Sequence, residues 1–160
     1  MEQAPDIHFK RITAQTVNPI CRLSETLTTA QRKMVADNAL SIAQAHFADN
    51  PWMRAIYADD RPIGFVLLHA GSDYDDGIDC PGVFLWRFMI AGPYQGKGYG
   101  RLALKRLLAQ LQAQGIPELY TSCGRGEASP EGFYKRLGFE PTGEMYGDEI
   151  ELKLKLSQAV

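Results

Sequence analysis

Two hydrophobic periods organise this chain. Ile150, Leu152, Leu154 and Leu156 alternate with Glu151, Lys153 and Lys155, a period of two that predicts a strand with one face buried and the charged face outward. An unbroken apolar run, VFLWRFMI, fills residues 83–90 between Pro81-Gly82 and Gly92-Pro93, and predicts a mostly buried strand. Immediately after it the period changes. From Arg101 onward, Leu102, Leu104, Leu107, Leu108 and Leu111 recur at helical spacing with Lys105, Arg106 and Gln110 between them, and Gly115 and Pro117 mark the stop.

The remaining elements read less sharply. Residues 7–12 set Ile7, Phe9 and Arg11 against His8, Lys10 and Ile12, an imperfect first strand. Asn18-Pro19 to Leu23 suggests a short helix. Thr28-Thr29-Ala30-Gln31 fits a capping box that opens a helix through Met34, Val35, Asn38, Ile42 and Phe47, stopped at Asn50-Pro51. Residues 53–58 and 63–69 are strands joined by the turn Asp59-Asp60-Arg61-Pro62. Residues 119–123 read as a strand and 124–129 as a loop, with Ser129 capping a helix that starts at Pro130 and stops at Gly138. The order β, α, α, β, β, β, α, β, α, β, β is α+β, mainly antiparallel, with a parallel pair flanking the central helix. No internal repeat is present.

Length and composition narrow the class. A chain of 160 residues suits one domain, here with a core of about residues 7–156. Apolar content of 45% and charged content of 22% are ordinary for a globular protein. No run of 18 apolar residues offers a membrane span, and MEQAPDIHFKR lacks the features of a signal peptide, so the expected location is cytoplasmic. A net charge of -2 gives no reason to expect nucleic acid as a partner. Cys21, Cys80 and Cys123 are odd in number and without a CxxC, against a disulfide framework or a zinc site. The loop AGSDYDDGIDCPG carries Asp73, Asp75, Asp76 and Asp79, but Gly77 stands at the third ligand position of a calcium loop and Phe84 at the twelfth. No metal is expected. The loop is either a solvated acidic segment or an attractor for a cationic substrate.

The junction between the apolar strand and the central helix carries the chemistry. Gln95-Gly96-Lys97-Gly98-Tyr99-Gly100 places glycine at every second position, so backbone N–H groups can approach a ligand closely. A helix N-terminus adds unpaired donors and about half a positive charge, and Lys97 and Arg101 add full charges. The turn is either a tight corner or a phosphate cradle. A P-loop is excluded by Ala91 and Gly98 at two defining positions, and a Rossmann fingerprint by the absence of G-x-G-x-x-G.

Gln95, Gly98 and Gly100 match the pattern [QR]-x-x-G-x-[GA] of the acyl-CoA turn in the GNAT N-acetyltransferase superfamily. Gly132-Phe133-Tyr134-Lys135-Arg136-Leu137-Gly138-Phe139 resembles its FYxxxGF signature. The resemblance implies the GNAT fold, a mixed, mostly antiparallel sheet of six to seven strands with about four helices and a splayed central parallel pair. It also implies acetyl-CoA as co-substrate. The implied donor site comprises the backbones of Phe88, Met89 and Ile90, the turn Gln95, Gly96, Lys97, Gly98, Tyr99, Gly100 and Arg101, and Ser129 and Phe133. Tyr134 matches the tyrosine that protonates the leaving thiolate; from spacing alone, Phe133-Tyr134 reads equally well as an aromatic core pair.

The acceptor half is less determined. Some members carry a strand Glu eleven positions before the glutamine; here that residue is Phe84. His69 is a candidate base or a structural histidine, and Cys123 a candidate acyl carrier or a buried thiol, with direct transfer in a ternary complex preferred. The segments MVADNALSIAQA, PWMRAIYADDRPIGFVLL, LWRFMI and GEASPEGFYKRLGF resemble the bacterial spermine/spermidine acetyltransferases of the Blt type. A polyamine substrate implies carboxylates and aromatic faces, for which Glu25, Asp37, the Asp73 and Asp76 loop and Trp86 are candidates. Trp86 also reads as core, on the opposite strand face from Arg87. Alternatives are another small amine, an antibiotic or a protein N-terminus as acceptor, or a non-catalytic acyl-CoA-binding regulator. The final strand and family habit make a homodimer an expectation.

Overall fold

In the computed structural model, residues 3–70 and 82–156 are described; the aspartates at 73, 75, 76 and 79 and Cys80 lie outside them. One seven-stranded sheet has the order β1-β2-β3-β4-β5-β7-β6, with β1 Ile7–Lys10, β2 Pro51–Ala58, β3 Arg61–Ala70, β4 Val83–Ile90, β5 Glu118–Cys123, β6 Glu140–Tyr146 and β7 Glu149–Lys155. All neighbours are antiparallel except β4 and β5. Five helices flank it: α1 Val17–Arg22, α2 Thr29–Arg32, α3 Asn38–Ala45, α4 Tyr99–Ala113 and α5 Glu131–Arg136. Among the described residues, no helix is long and apolar enough to cross a membrane.

The sheet separates two apolar layers. Leu104 and Leu107 of α4 are fully buried against Val66, Leu68, Leu85, Leu119 and Leu152, and each such leucine stabilises the fold by about 2 kcal/mol. On the other face, Ile20 of α1 and Ala45 of α3 meet Phe65, Leu67 and Met89. α4 begins two residues before Arg101, because Gly98 takes a left-handed conformation (φ 86°) and starts the helix directly from the glycine turn.

The long helix expected from Thr28 to Asn50 is two helices. The capping box forms as read: Thr28 Oγ1 accepts from the Gln31 N–H at 3.2 Å, and Gln31 Oε1 accepts from the Thr28 N–H at 3.0 Å. The chain nevertheless leaves the helix before Asp37 (ψ 144°). Buried Asn38 fixes the break, its N–H donating to Ser24 Oγ at 2.9 Å and its Nδ2 to the Ile20 carbonyl at 2.8 Å. Phe47, expected within that helix, lies beyond the end of α3 and is 90% exposed. The first strand ends at Lys10 rather than at residue 12.

Two further differences bear on the site. A β-bulge in β4 sets Leu85 opposite Leu68 and Arg87 opposite Leu67, leaving Trp86 as the extra residue. Trp86 and Arg87 therefore do not take opposite faces: the Arg87 guanidinium lies 5.0 Å from the Trp86 ring and donates to Gln44 of α3 at 3.0 Å. In β7, Glu151 is 5% exposed, not part of an outward charged face, because Thr142 and Tyr146 of β6 fold over it.

Candidate active site

The sheet opens at its centre. β4 and β5 pair in register only over Val83↔Leu119, Phe84↔Tyr120 and Leu85↔Thr121, although β4 continues to Ile90. The bulge at Trp86 supplies the cause, since an extra residue raises the local twist and turns the strand away from its neighbour. At the fork Thr121 Oγ1 donates to the Leu85 carbonyl at 3.0 Å, satisfying a group that parting strands leave without a ladder partner. A cleft of about 1360 Å³ runs through the fork, larger than the few hundred to about 1,000 Å³ of an ordinary small-molecule pocket.

One mouth of the cleft is the glycine turn. Gln95, Gly96, Gly98, Gly100 and Arg101 line it, together with Phe88, Met89, Ile90 and Phe133. Gly98 is the cap of α4 and has open space where a Cβ would stand, so the first N–H groups of a fifteen-residue helix face a groove without side-chain obstruction. These features fit an anionic group such as a pyrophosphate. The Gln95 side chain is engaged in holding the turn: its Nε2 donates to the Ile90 carbonyl at 2.8 Å and its Oε1 accepts from Gln31 Nε2 at 2.7 Å. Lys97 is exposed and Tyr99 packs edge-on against Tyr94, 6.0 Å between centroids; neither lines the cleft. Ser129 also stays out of it: its hydroxyl donates to the Gly124 carbonyl at 2.6 Å and accepts from the Glu131 N–H at 3.2 Å. α5 starts at Glu131 with Pro130 in the cap position, one residue later than expected, and Ser129 holds the Glu131 N–H from just outside the helix.

Deeper in, Tyr134 lines the cleft yet is 5% exposed, edge-on to Phe133 and Phe139. Burial pushes its phenol well above the usual tyrosine range, with the Thr121 hydroxyl pulling the other way. The group therefore stays protonated at any neutral pH and can donate a hydrogen bond to developing negative charge. Cys123 also lines the cleft, and burial, reinforced by Glu131, pushes its thiol up. It carries little thiolate at neutral pH, which disfavours nucleophilic use.

Trp86, Tyr146, Asp148 and Glu149 also line the cleft, together with the cationic Arg87 and Arg125; Tyr146, Asp148 and Glu149 come from the β6–β7 hairpin that the sequence pattern left without boundaries. A turn signal was present in Gly147-Asp148, where Gly147 has φ 59°. Glu25 and Asp37 do not line the cleft: both are exposed, and Asp37 pairs with Arg32 at 3.6 Å. Phe84 is 2% exposed and packed against His69 and Tyr146, so β4 presents no carboxylate at the fork. His69 is buried beneath Phe84 and Trp86, with ring centroids 5.4 and 5.5 Å away, and does not line the cleft.

The chain's similarities agree with this geometry. Over 101 residues it is 30% identical to the spermine/spermidine N(1)-acetyltransferase of Bacillus subtilis, covering 61% of this chain and 66% of that protein. Over 109 residues it is 27% identical to the peptidyl-lysine N-acetyltransferase YjaB of Escherichia coli, covering 68% and 63%. The chain thus spans just under two thirds of the length of these relatives. Its fold matches the crystal structure of an acetyltransferase from Thermus thermophilus with a TM-score of 0.75 at 16% identity, covering 97% of this chain and all of that one. The model of the acetyltransferase (GNAT) family matches residues 20–139, three quarters of the chain, and the protein belongs to that family.

Proposed function

We propose that this chain is a single-domain N-acetyltransferase that moves acetyl from acetyl-CoA to a primary amine of a polyamine such as spermidine or spermine, by direct attack in a ternary complex. The observation that carries the reading is the fork between β4 and β5, whose cleft is lined both by the glycine-capped N-terminus of α4 and by Trp86, Tyr146, Asp148 and Glu149. Acetyl-CoA, the donor of this family, supplies an activated thioester. Everything else falls to the protein.

The N–H groups at the start of α4, with Arg101 beside them, hold the pyrophosphate. Beyond Leu85 the backbone of β4 carries groups released from pairing with β5, and these polarise the acyl oxygen. A preorganised donor of this kind is worth about 3 to 4 kcal/mol when charge develops on that oxygen. Tyr134, kept protonated by burial, donates to the departing sulfur. Tyr146 offers an aromatic group to an alkylammonium, and Asp148 and Glu149 offer charge.

An acceptor panel tests the reading. Purified protein with acetyl-CoA should release free CoA with spermidine or spermine faster than with monoamines, lysine peptides or aminoglycosides. Release with lysine peptides alone would transfer the assignment to protein acetylation, a second reading favoured by the similarity to the Escherichia coli peptidyl-lysine enzyme. Tight acetyl-CoA binding with no turnover on any amine would leave a non-catalytic binding protein.

A further inference from the structure

The amine must lose a proton before it attacks, and Phe84 leaves β4 without a base. A carboxylate lies on the same face of the sheet two strands away. Glu151 of β7 is 5% exposed, and its oxygens are held by two hydroxyls: Thr142 Oγ1 donates to Oε1 at 2.7 Å, and the Tyr146 hydroxyl donates to Oε2. Of these residues Tyr146 reaches the cleft, where its ring also packs on Phe84, 6.2 Å between centroids.

The arrangement is expensive to maintain for stability alone. A buried carboxylate loses several kcal/mol of hydration unless a cation compensates it. The nearest cation on its own strand, Lys153, is turned to Glu118 at 3.7 Å, and among the described residues no ion pair to Glu151 forms. Hydroxyl donors are the compensation the fold provides. Among the described residues, the charged and titratable groups on the strands around Glu151 are Glu149 and Lys153 on β7, Tyr120 and Glu118 on β5, where Ser122 lies directly opposite, and Tyr146 and Glu140 on β6. Tyr146, bonded to Glu151 at one end and lining the cleft at the other, connects the carboxylate to the site.

We propose that Tyr146 and Glu151 form the proton path for the acceptor amine, replacing the base that Phe84 displaces. The substrate ammonium gives its proton to Tyr146 Oη as the Tyr146 hydroxyl proton passes to Glu151. The N–H bond breaks, the nitrogen keeps the electron pair, the phenol is regenerated, and Glu151 ends the step as a carboxylic acid. It later releases that proton to solvent, matching the net proton produced when an ammonium becomes an amide. Tyr146 touches the substrate; Glu151 acts through it. The proposal rests on the acetyltransferase reading above.

The test compares Tyr146→Phe, Glu151→Gln and the double variant with the wild-type protein. Each single variant should lower kcat/KM at pH 7 by about 100-fold, and the double variant should be no worse than either single, because both act on one path. Without a base, log kcat/KM should climb with unit slope up to the amine's own pKa near 10.4, whereas the wild type levels off at lower pH. A weakly basic amine, largely neutral at pH 7, should shrink the deficit to a few-fold; a folding defect would not discriminate between amines. In the free protein, a ¹³C-tyrosine titration should show one resonance titrating at lower pH in Glu151→Gln, and acetyl-CoA affinity should be unchanged in all variants. Wild-type turnover with unaltered pH profiles in both single variants overturns the relay alone. A wild-type protein that acetylates no amine overturns the enzymatic reading and the relay with it.

Discussion

Gln31 and Gln95, 64 positions apart, are joined side chain to side chain at 2.7 Å. The amide of Gln31 that completes the capping box of α2 also grips the glutamine that secures the end of β4. One hydrogen-bonded chain thus runs from Thr28 through Gln31 and Gln95 to the Ile90 carbonyl, beside the glycine turn that lines the cleft. Gln31→Ala removes the middle link without touching the turn's backbone. We expect a stability loss of about 1 kcal/mol and an increase in the acetyl-CoA KM of about fivefold, with kcat little changed because the lost interaction serves ground state and transition state alike. Thermal denaturation and donor-varied kinetics check this.

The glycine turn gives a sharper contrast. Gly98 has φ 86° and open space where a Cβ would stand, so Gly98→Ala should suffer backbone strain of about 1 to 2 kcal/mol as well as weaker donor binding. At Gly100 a Cβ would meet Ile90 and Phe133 at an ordinary 3.6 Å. Gly100→Ala should therefore fold as stably as the wild type or better, Ala being the better helix former, while still losing acetyl-CoA affinity by about tenfold if an anion approaches that backbone. Isothermal titration beside a melting curve separates the two. Unchanged affinity in Gly100→Ala would remove the pyrophosphate from that position.

Much of this was legible from the sequence because it is local. The apolar strand, the glycine turn, the central helix and the Thr28 capping box are each set by neighbours within a few residues, and each appears where the pattern put it. What escaped is non-local. The bulge that opens the sheet depends on how β3 and β4 pair around Trp86. Glu151 looked like one tooth of an alternating strand, and its burial depends on Tyr146 and Thr142 folding over it from β6. Glu25 and Asp37 were attractive acceptor residues by charge alone, but charge does not say where a side chain points. The break before Asn38 had a weak local signal in Asp37-Asn38, a pair that suits a helix start, overshadowed by the apolar spacing on either side.

Tyr134 supports a kinetic prediction and a pH prediction. Tyr134→Phe removes the proposed donor to the leaving sulfur and keeps the aromatic packing, so kcat should fall by about 100-fold or more with acetyl-CoA affinity retained; unchanged kcat would dismiss the acid role. Burial raises the folded-state pKa above the unfolded value near 10. The group's contribution is therefore fully present below about pH 10 and is lost as pH rises from there toward the folded pKa, because only the unfolded chain releases that proton. Alkaline melting curves should show the wild type losing stability at up to about 1.4 kcal/mol per pH unit from this one group. Tyr134→Phe should be correspondingly less steep above pH 10, and no difference below it is expected.

The proposed acceptor side of the cleft carries the last prediction. Glu149 is exposed, lines the cleft and accepts from Ser122 Oγ at a long 3.4 Å, so Glu149→Gln should change stability by no more than about 0.5 kcal/mol. Its charge lies beside a site proposed for a polycation, where an unneutralised carboxylate acts over a Debye length of about 8 Å at physiological salt. Removing it should raise the KM for spermine by several-fold, raise that for a monoamine less, and weaken the salt dependence of the spermine KM. The ordering matters more than the size, because an ammonium at the reacting nitrogen is common to all acceptors whereas the distal ammonium groups are not. Equal KM changes for spermine and a monoamine would mean that Glu149 does not read the distal charges, and the polyamine assignment would lose its structural support on this side of the cleft.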